Sequence, residues 1–118
     1  MKLLLARPPR RDVWDAGLPV PPLGLAYIAA AVREEGIEVE LLDAYALGLN
    51  WSDFESEITK SDADVFGLGC MTPVSDTAYR AAEIAKKSFS VVLLGGPHPT
   101  AVREAVFDEC AFIDHLVI

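Results

Sequence analysis

The chain has 118 residues, 52% of them hydrophobic, and 10 basic against 18 acidic side chains for a formal net charge of −8. That is enough apolar material for one packed domain and excludes a disordered segment. The acidic balance argues against a nucleic-acid surface, which needs a basic stripe, and no apolar run approaches the ~20 residues that span a membrane.

The first strand is expected over Lys2–Ala6, a continuous apolar run of the kind found inside a parallel sheet. It is too short for a signal peptide. Arg7–Pro22 reads as a long connection with five prolines, Pro8, Pro9, Pro19, Pro21 and Pro22. Leu23–Glu35 has Leu25, Ile28, Ala29 and Val32 at helical spacing, with Gly36 as the stop. A second strand follows over Glu38–Leu42, then a loop from Asp43 to Asn50. Ser52 is placed to cap a short acidic helix, Asp53–Lys60. Asp64–Leu68 is the third strand, closing on Gly69-Cys70-Met71-Thr72-Pro73. The helix Val74–Ser88 carries Ala78, Ala81, Ala82 and Ala85, small residues that imply close packing on a sheet. Val91–Leu94 is an inner strand stopped by Gly95 and Gly96, with Pro97 and Pro99 barring its continuation. Thr100 is the expected cap of a helix running to Cys110, and Phe112–Ile118 is the fifth strand.

Five strands alternating with helices predict a three-layer α/β domain around a parallel sheet. The commonest five-strand order is the flavodoxin-like (Rossmann-like) 2-1-3-4-5, with ligands bound beyond the carboxyl ends of the strands. Four segments then line the crevice: Arg7–Pro9, Asp43–Gly48, Gly69–Thr72 and Gly95–His98. Cys70 and Cys110 are far apart and have neither a disulfide-framework nor a metal-ligand spacing, a pattern that suits a reducing, cytoplasmic setting.

Elimination narrows the ligand. A dinucleotide site wants G-x-G-x-x-G after the first strand, where this chain has Arg-Pro-Pro-Arg-Arg. A flavin phosphate loop is missing from the same place. A phospho-acceptor Asp is absent from the end of the third strand, which reads Gly69-Cys70. Neither a Ser-His-Asp set nor a metal-ligand cluster is visible, so no catalytic and no metal-binding residues are assigned. Bare glycine at two neighbouring strand ends, with a Thr, a Tyr and an Asp nearby, suits a large, partly apolar ligand.

Three stretches carry a family resemblance: Pro22-Leu23-Gly24-Leu25-Ala26-Tyr27-Ile28-Ala29-Ala30, Asp64–Pro73, and Leu94-Gly95-Gly96-Pro97-His98-Pro99-Thr100. Over essentially its whole length the chain resembles the N-terminal cobalamin-binding domain of radical S-adenosylmethionine proteins, including those similar to the anaerobic magnesium-protoporphyrin monomethyl ester cyclase. The resemblance implies a corrinoid as ligand. It also implies that residues 1–118 precede a C-terminal radical S-adenosylmethionine domain, which would hold the [4Fe-4S] cluster and S-adenosylmethionine on a Cys-x-x-x-Cys-x-x-Cys motif that this chain lacks. The implied cofactor-binding residues are Asp43, Tyr45, Gly48, Gly69, Cys70, Met71, Thr72, Gly95, Gly96 and His98.

Relatives of the methionine synthase type carry D-x-H-x-x-G after the second strand, the His being an axial cobalt ligand. Here that place reads Asp43-Ala44-Tyr45-Ala46-Leu47-Gly48. A phenol, with an ordinary pKa of about 10, is a poor cobalt ligand, so no axial histidine is expected from this loop. The Ser-x-Leu position becomes Gly69-Cys70-Met71, which leaves Thr72 as the nearest hydroxyl, and the Gly-Gly position is kept as Gly95-Gly96.

Several residues have a plainer reading beside the functional one. Tyr45 covers a corrin face or packs on a helix. Asp43 orients a loop group or forms a turn. His98 donates to a ligand or caps a helix. Cys70 is a strand-end thiol or a small buried residue, and His115 is read as structural. Arg7, Arg10 and Arg11 meet a phosphate or a partner domain, or form a solvated loop. Two further readings of the whole domain stand beside the cofactor module. One is a vestigial scaffold that docks the catalytic domain; the other is a stand-alone small-molecule or nucleotide-binding enzyme.

Overall fold

The computed structural model describes residues 1–10 and 22–118. Most of the expected Arg7–Pro22 connection, Arg11 included, lies outside the described residues. The strands are β1 (Lys2–Arg7), β2 (Glu38–Asp43), β3 (Val65–Gly69), β4 (Val91–Gly95) and β5 (His115–Val117), all parallel, in the order β2-β1-β3-β4-β5. The helices are α1 (Leu23–Glu34), α2 (Ala44–Leu47), α3 (Trp51–Lys60), α4 (Ser75–Lys86), α5 (Pro97–Val102) and α6 (Ala105–Glu109). A 3-10 turn over Thr72–Val74 precedes α4.

The side-chain alternation of a strand divides the core. Leu4, Ala6, Phe66, Leu68, Val92 and Leu94 point to one face, where they pack with Phe54 and Ile58 of α3, Val106 of α6 and the alanine stripe of α4. Ala78, Ala81, Ala82 and Ala85 are all essentially buried, so the stripe acts as the sequence implied. Each large apolar side chain buried there contributes about 1.5–3 kcal/mol. On the other face, among the described residues, Leu3, Leu5 and Ala29 form the buried cluster, supported by Leu25, Val32, Val39 and Val65. Helix α1 covers β1 and β2 on that side. Leu93 is half-buried and Val117 is 52% exposed, so the β4–β5 part of this face is only partly covered.

Four expectations change in detail. The Asp43–Asn50 loop contains α2, capped by Asp43 Oδ1, which accepts from Ala46 N, and closed by Gly48 in the left-handed region. Asn50, not Ser52, caps α3, its side chain accepting from Asp53 N at 2.7 Å. The helix expected over Thr100–Cys110 starts earlier and splits. Pro97 suits a first helical position because it has no N–H to leave unpaired, so α5 begins there. Thr100 Oγ1 donates back to the Gly96 carbonyl instead of capping. Arg103, at φ 51°, then turns the chain into α6. β5 is shorter than expected because Asp114 is spent on anchoring. Its carboxylate accepts from Val92 N (2.7 Å) and Lys86 Nζ (2.6 Å), and its own N–H donates to the Val92 carbonyl.

The carboxyl ends of β3 and β4 are strapped together through their backbones. Cys70 N donates to the Gly95 carbonyl at 2.8 Å, and His98 N donates to the Cys70 carbonyl at 2.9 Å. Gly96 sits inside this strap at φ 102°, where a Cβ would lie 2.9 Å from Cys70 O and 3.0 Å from Cys70 N. Both the dihedral and the close approach require glycine.

Gly96→Ala is therefore expected to destabilise the domain by at least about 2 kcal/mol, read as a lower midpoint in chemical denaturation. Asp114 gives a second expectation. The Lys86 hydrogen bond, with that of Val92 N, holds its carboxyl below the usual carboxylate range. The folded state thus binds this proton less tightly than the unfolded chain does. The stabilisation is complete above the ordinary carboxylate value of about 3.9 and disappears as the pH falls below it. Melting curves between pH 6 and about pH 3 should show this loss, and Asp114→Asn should flatten it.

Candidate functional site

Three groups of residues meet at the carboxyl edge of the sheet. The first spans β1 and β2. Arg7 donates from Nε and Nη2 to the two carboxylate oxygens of Asp43, each at 2.7 Å. This is a bidentate, partly exposed pair, and Asp43 is at the same time the cap of α2. The Arg7 guanidinium lies 4.7 Å from the centre of the Tyr45 ring and that of Arg10 lies 4.9 Å from it. Both contacts are cation–π geometry, so the phenol is held as a flat surface between arginines. Arg10 Nε is buried and has no hydrogen-bond partner among the described residues.

The second group is the pair of bare strand ends. Gly69 and Gly95 are direct neighbours across β3 and β4, and Gly95 pairs with Val117 of β5. A Cβ on Gly95 would touch Val117 at 3.4–3.5 Å. A Cβ on Gly69 would meet no heavy atom within 4 Å among the described residues. Gly67, one pleat back on the same face, is covered by Leu5, whose Cδ2 lies 2.7 Å from where a Cβ would be. The open slot is therefore confined to the strand tips.

The third group lies on and behind the strap. Thr72 is exposed, and its Oγ1 lies 2.9 Å from His98 Nδ1. His98 Nε2 lies 3.0 Å from Glu109 Oε2, which also accepts from the Tyr79 hydroxyl. His98 is only 5% exposed, and both of its ring nitrogens are engaged. It stands behind Thr72, not on the outer wall. Cys70 is buried, with burial and the Glu109 charge pushing its thiol up to about 11, so it remains a thiol at neutral pH. Its backbone, not its sulfur, holds the strap. Met71 projects outward, 57% exposed.

Asp43, Tyr45 and Gly48 therefore share one capped turn, Gly69 and Gly95 the slot, and Cys70, Gly96 and His98 the strap, with Thr72 at its rim. Sequence reasoning missed Tyr79 and Glu109. No local pattern marks them: they sit 30 residues apart and meet only because α4 and α6 pack on the same face. Two surface hollows line the outer side of β2, with Glu40 in both, and neither includes Tyr45, Gly69 or Gly95. Among the described residues no group of three or more His, Cys, Asp or Glu could hold a metal, and no helix is long and apolar enough to cross a membrane.

Residues 12–118 match the model of the B12 binding domain family. The chain belongs to the B12-binding domain family. It is 40% identical over 121 residues to an uncharacterized methyltransferase of Pyrococcus horikoshii, covering 99% of this chain and 26% of that protein. It is 32% identical over 100 residues to the anaerobic magnesium-protoporphyrin IX monomethyl ester cyclase of Rubrivivax gelatinosus, covering 82% of this chain and 18% of that one. The B12-binding domain thus spans about a quarter or less of these relatives. A solved structure, the radical S-adenosylmethionine methyltransferase TsrM from Kitasatospora setae, superposes with a TM-score of 0.71 at 18% identity over 92% of this chain and 21% of its own. The likeness bears out the flavodoxin-like fold and its strand order.

Within this B12-binding domain, Asp43→Asn removes half of the bidentate pair and leaves the cap with a neutral acceptor. It is expected to cost about 1 kcal/mol, and adding salt to the parent, which screens the same pair, should reproduce part of that loss. Paired denaturation curves at low and high ionic strength measure both.

Proposed function

We propose that this chain is the corrinoid-holding module of a larger radical S-adenosylmethionine protein, that it holds cobalamin without a protein histidine on cobalt, and that it is not catalytic by itself. The observation that carries the reading is the open slot at Gly69 beside Gly95, at the strand ends where ligands of such sheets bind. Three features fit a corrinoid. The slot is lined by backbone, which lets a bulky group approach closely. The Tyr45 ring, held flat by Arg7 and Arg10, offers a face. Arg10 Nε is a buried donor with no acceptor among the described residues, which an amide carbonyl or the phosphate of the nucleotide tail would supply. When bound, the corrinoid supplies the organometallic chemistry, and the protein supplies binding and orientation.

The inventory of histidines supports cobalamin held without an axial histidine. The chain has two histidines. His98 is buried with both nitrogens engaged, and His115 lies on β5. A catalytic partner domain carrying the iron–sulfur cluster and S-adenosylmethionine is supported by the TsrM fold match and by the length of the relatives. The scaffold reading is favoured by one observation: Val117 is 52% exposed on the partly covered β4–β5 face beside half-buried Leu93, apolar area suited to docking.

Absorbance titration with hydroxocobalamin tests the reading. Saturable binding at tens of micromolar or tighter is expected, and a folded protein that shows none would favour the scaffold. Gly69→Leu should weaken binding at least tenfold without lowering the melting temperature, because its backbone is unstrained and its Cβ is unobstructed. Arg10→Met should also weaken binding, because it removes both the buried donor and one of the two guanidinium contacts on Tyr45. The cobalt(II) form should show no nitrogen hyperfine splitting from protein in its electron paramagnetic resonance spectrum. Splitting that vanishes in His115→Ala would contradict the axial assignment.

A further inference from the structure

We propose that Thr72 meets the ligand as a hydrogen-bond acceptor, that Glu109, Tyr79 and His98 are positioning residues that fix this polarity, and that the group it accepts from is an amide N–H of the corrin periphery and not the nucleotide base. The ligand part rests on the corrinoid reading above; the proton direction does not.

The direction follows from following each proton through the chain of contacts. An ionised carboxylate only accepts. Glu109 is held below the usual carboxylate range, first by the Tyr79 hydroxyl and then by His98, so it is ionised at neutral pH. Its Oε2 receives the Tyr79 O–H and faces His98 Nε2 at 3.0 Å, so Nε2 must carry a hydrogen. In a neutral imidazole the other nitrogen is then a bare acceptor. That nitrogen, Nδ1, faces Thr72 Oγ1 at 2.9 Å, and Thr72 has the proton to give it. A hydroxyl has one proton and two lone pairs. With the proton committed inward, the exposed side of Thr72 presents lone pairs alone.

The surroundings keep the arrangement in place. His98 is buried at 5% exposure, and its backbone N–H is held in the strap by the Cys70 carbonyl, so the ring has little freedom to turn. The edge of the His98 ring packs on Tyr79 at 6.2 Å between centroids. Tyr79 on α4 and Glu109 on α6 face the ring, and Cys70 after β3 and Cys110 after α6 act electrostatically on Tyr79. Burial pushes both thiols and the Tyr79 phenol up, so none of them becomes a second anion near neutrality. The chemical consequence is selection. A hydroxyl presenting lone pairs pairs with amide N–H groups, which the corrin ring bears around its rim. It repels the lone pair of an imidazole-type nitrogen such as that of the nucleotide base.

Two measurements test this. Ring nitrogen NMR of the free, 15N-labelled domain at about pH 8.5 should show His98 with a protonated Nε2 and a bare Nδ1, and Glu109→Ala, which removes the anchoring acceptor, should move the Nδ1 signal toward the protonated position. The opposite tautomer in the parent, or unmoved ring signals in Glu109→Ala, overturns the positioning role. Second, hydroxocobalamin and dicyanocobinamide, which keeps the rim amides and lacks the nucleotide, are titrated into the parent, Thr72→Val and Thr72→Ser. Thr72→Val should lose about tenfold in affinity for both compounds, and Thr72→Ser should restore both. A loss confined to hydroxocobalamin, or no loss for either, overturns the amide assignment. If the folded parent binds neither compound, the corrinoid reading fails and takes the amide assignment with it, whereas a bare Nδ1 still establishes Thr72 as an acceptor.

Discussion

The geometry at the ligand edge depends on two backbone hydrogen bonds, from Cys70 N to Gly95 and from His98 N to Cys70. They tie the chain leaving β3 to the chain leaving β4 and tolerate no side chain at Gly96. A peptide group buried at a sheet end must find a partner, and here each strand end supplies the other's. The strap therefore satisfies the backbone and fixes the height of the two tips. Gly69 is left open beside Gly95, Thr72 is carried to the rim, and His98 is seated beneath it. A slot between strand ends that could slide past one another would have no defined width.

This makes the two glycines of the Gly95-Gly96 pair different in kind. Gly96 answers to the protein's own backbone, since its dihedral and its contact with Cys70 are internal. Gly95 lies in ordinary contact with Val117. The residue with unfilled space is Gly69, whose strand partner is Gly95. A motif that reads as one unit in sequence thus divides into a folding determinant and half of a binding surface. Asp43-Ala44-Tyr45-Ala46-Leu47-Gly48 divides in the same way. Asp43 and Gly48 cap a helical turn, and Tyr45 is the side chain that the turn presents between Arg7 and Arg10.

The polar cluster behind Thr72 has the opposite character to the slot. Buried polar groups are costly unless each is paired, and fully paired networks hold one arrangement. Tyr79, Glu109, His98 and Thr72 form such a chain across α4, α6, α5 and the turn after β3. Glu109 reaches solvent at one end of the chain and Thr72 at the other, with His98 buried between them, so Thr72 inherits the order of the other three. The Arg7–Asp43 pair, partly exposed on both sides, does a coarser job, holding the start of α2 against the end of β1.

Most of the architecture was legible in the residues because burial leaves a direct mark on sequence. The runs Leu3-Leu4-Leu5, Val65-Phe66 and Val91-Val92-Leu93-Leu94 read as strands covered on both faces, and the alanine stripe of α4 as a packed face. Local reading failed where two options were close in energy: Asn50 against Ser52 as a cap, and Pro97 against Thr100 as a helix start. By itself the sequence determined the strand–helix alternation, the parallel sheet and the glycine-marked strand ends, since periodicity and backbone permissiveness are local properties. Only the tertiary structure decided which of those glycines faces space and which faces Cys70. It alone brought Tyr79 and Glu109 to His98, because such contacts join residues that no spacing rule connects.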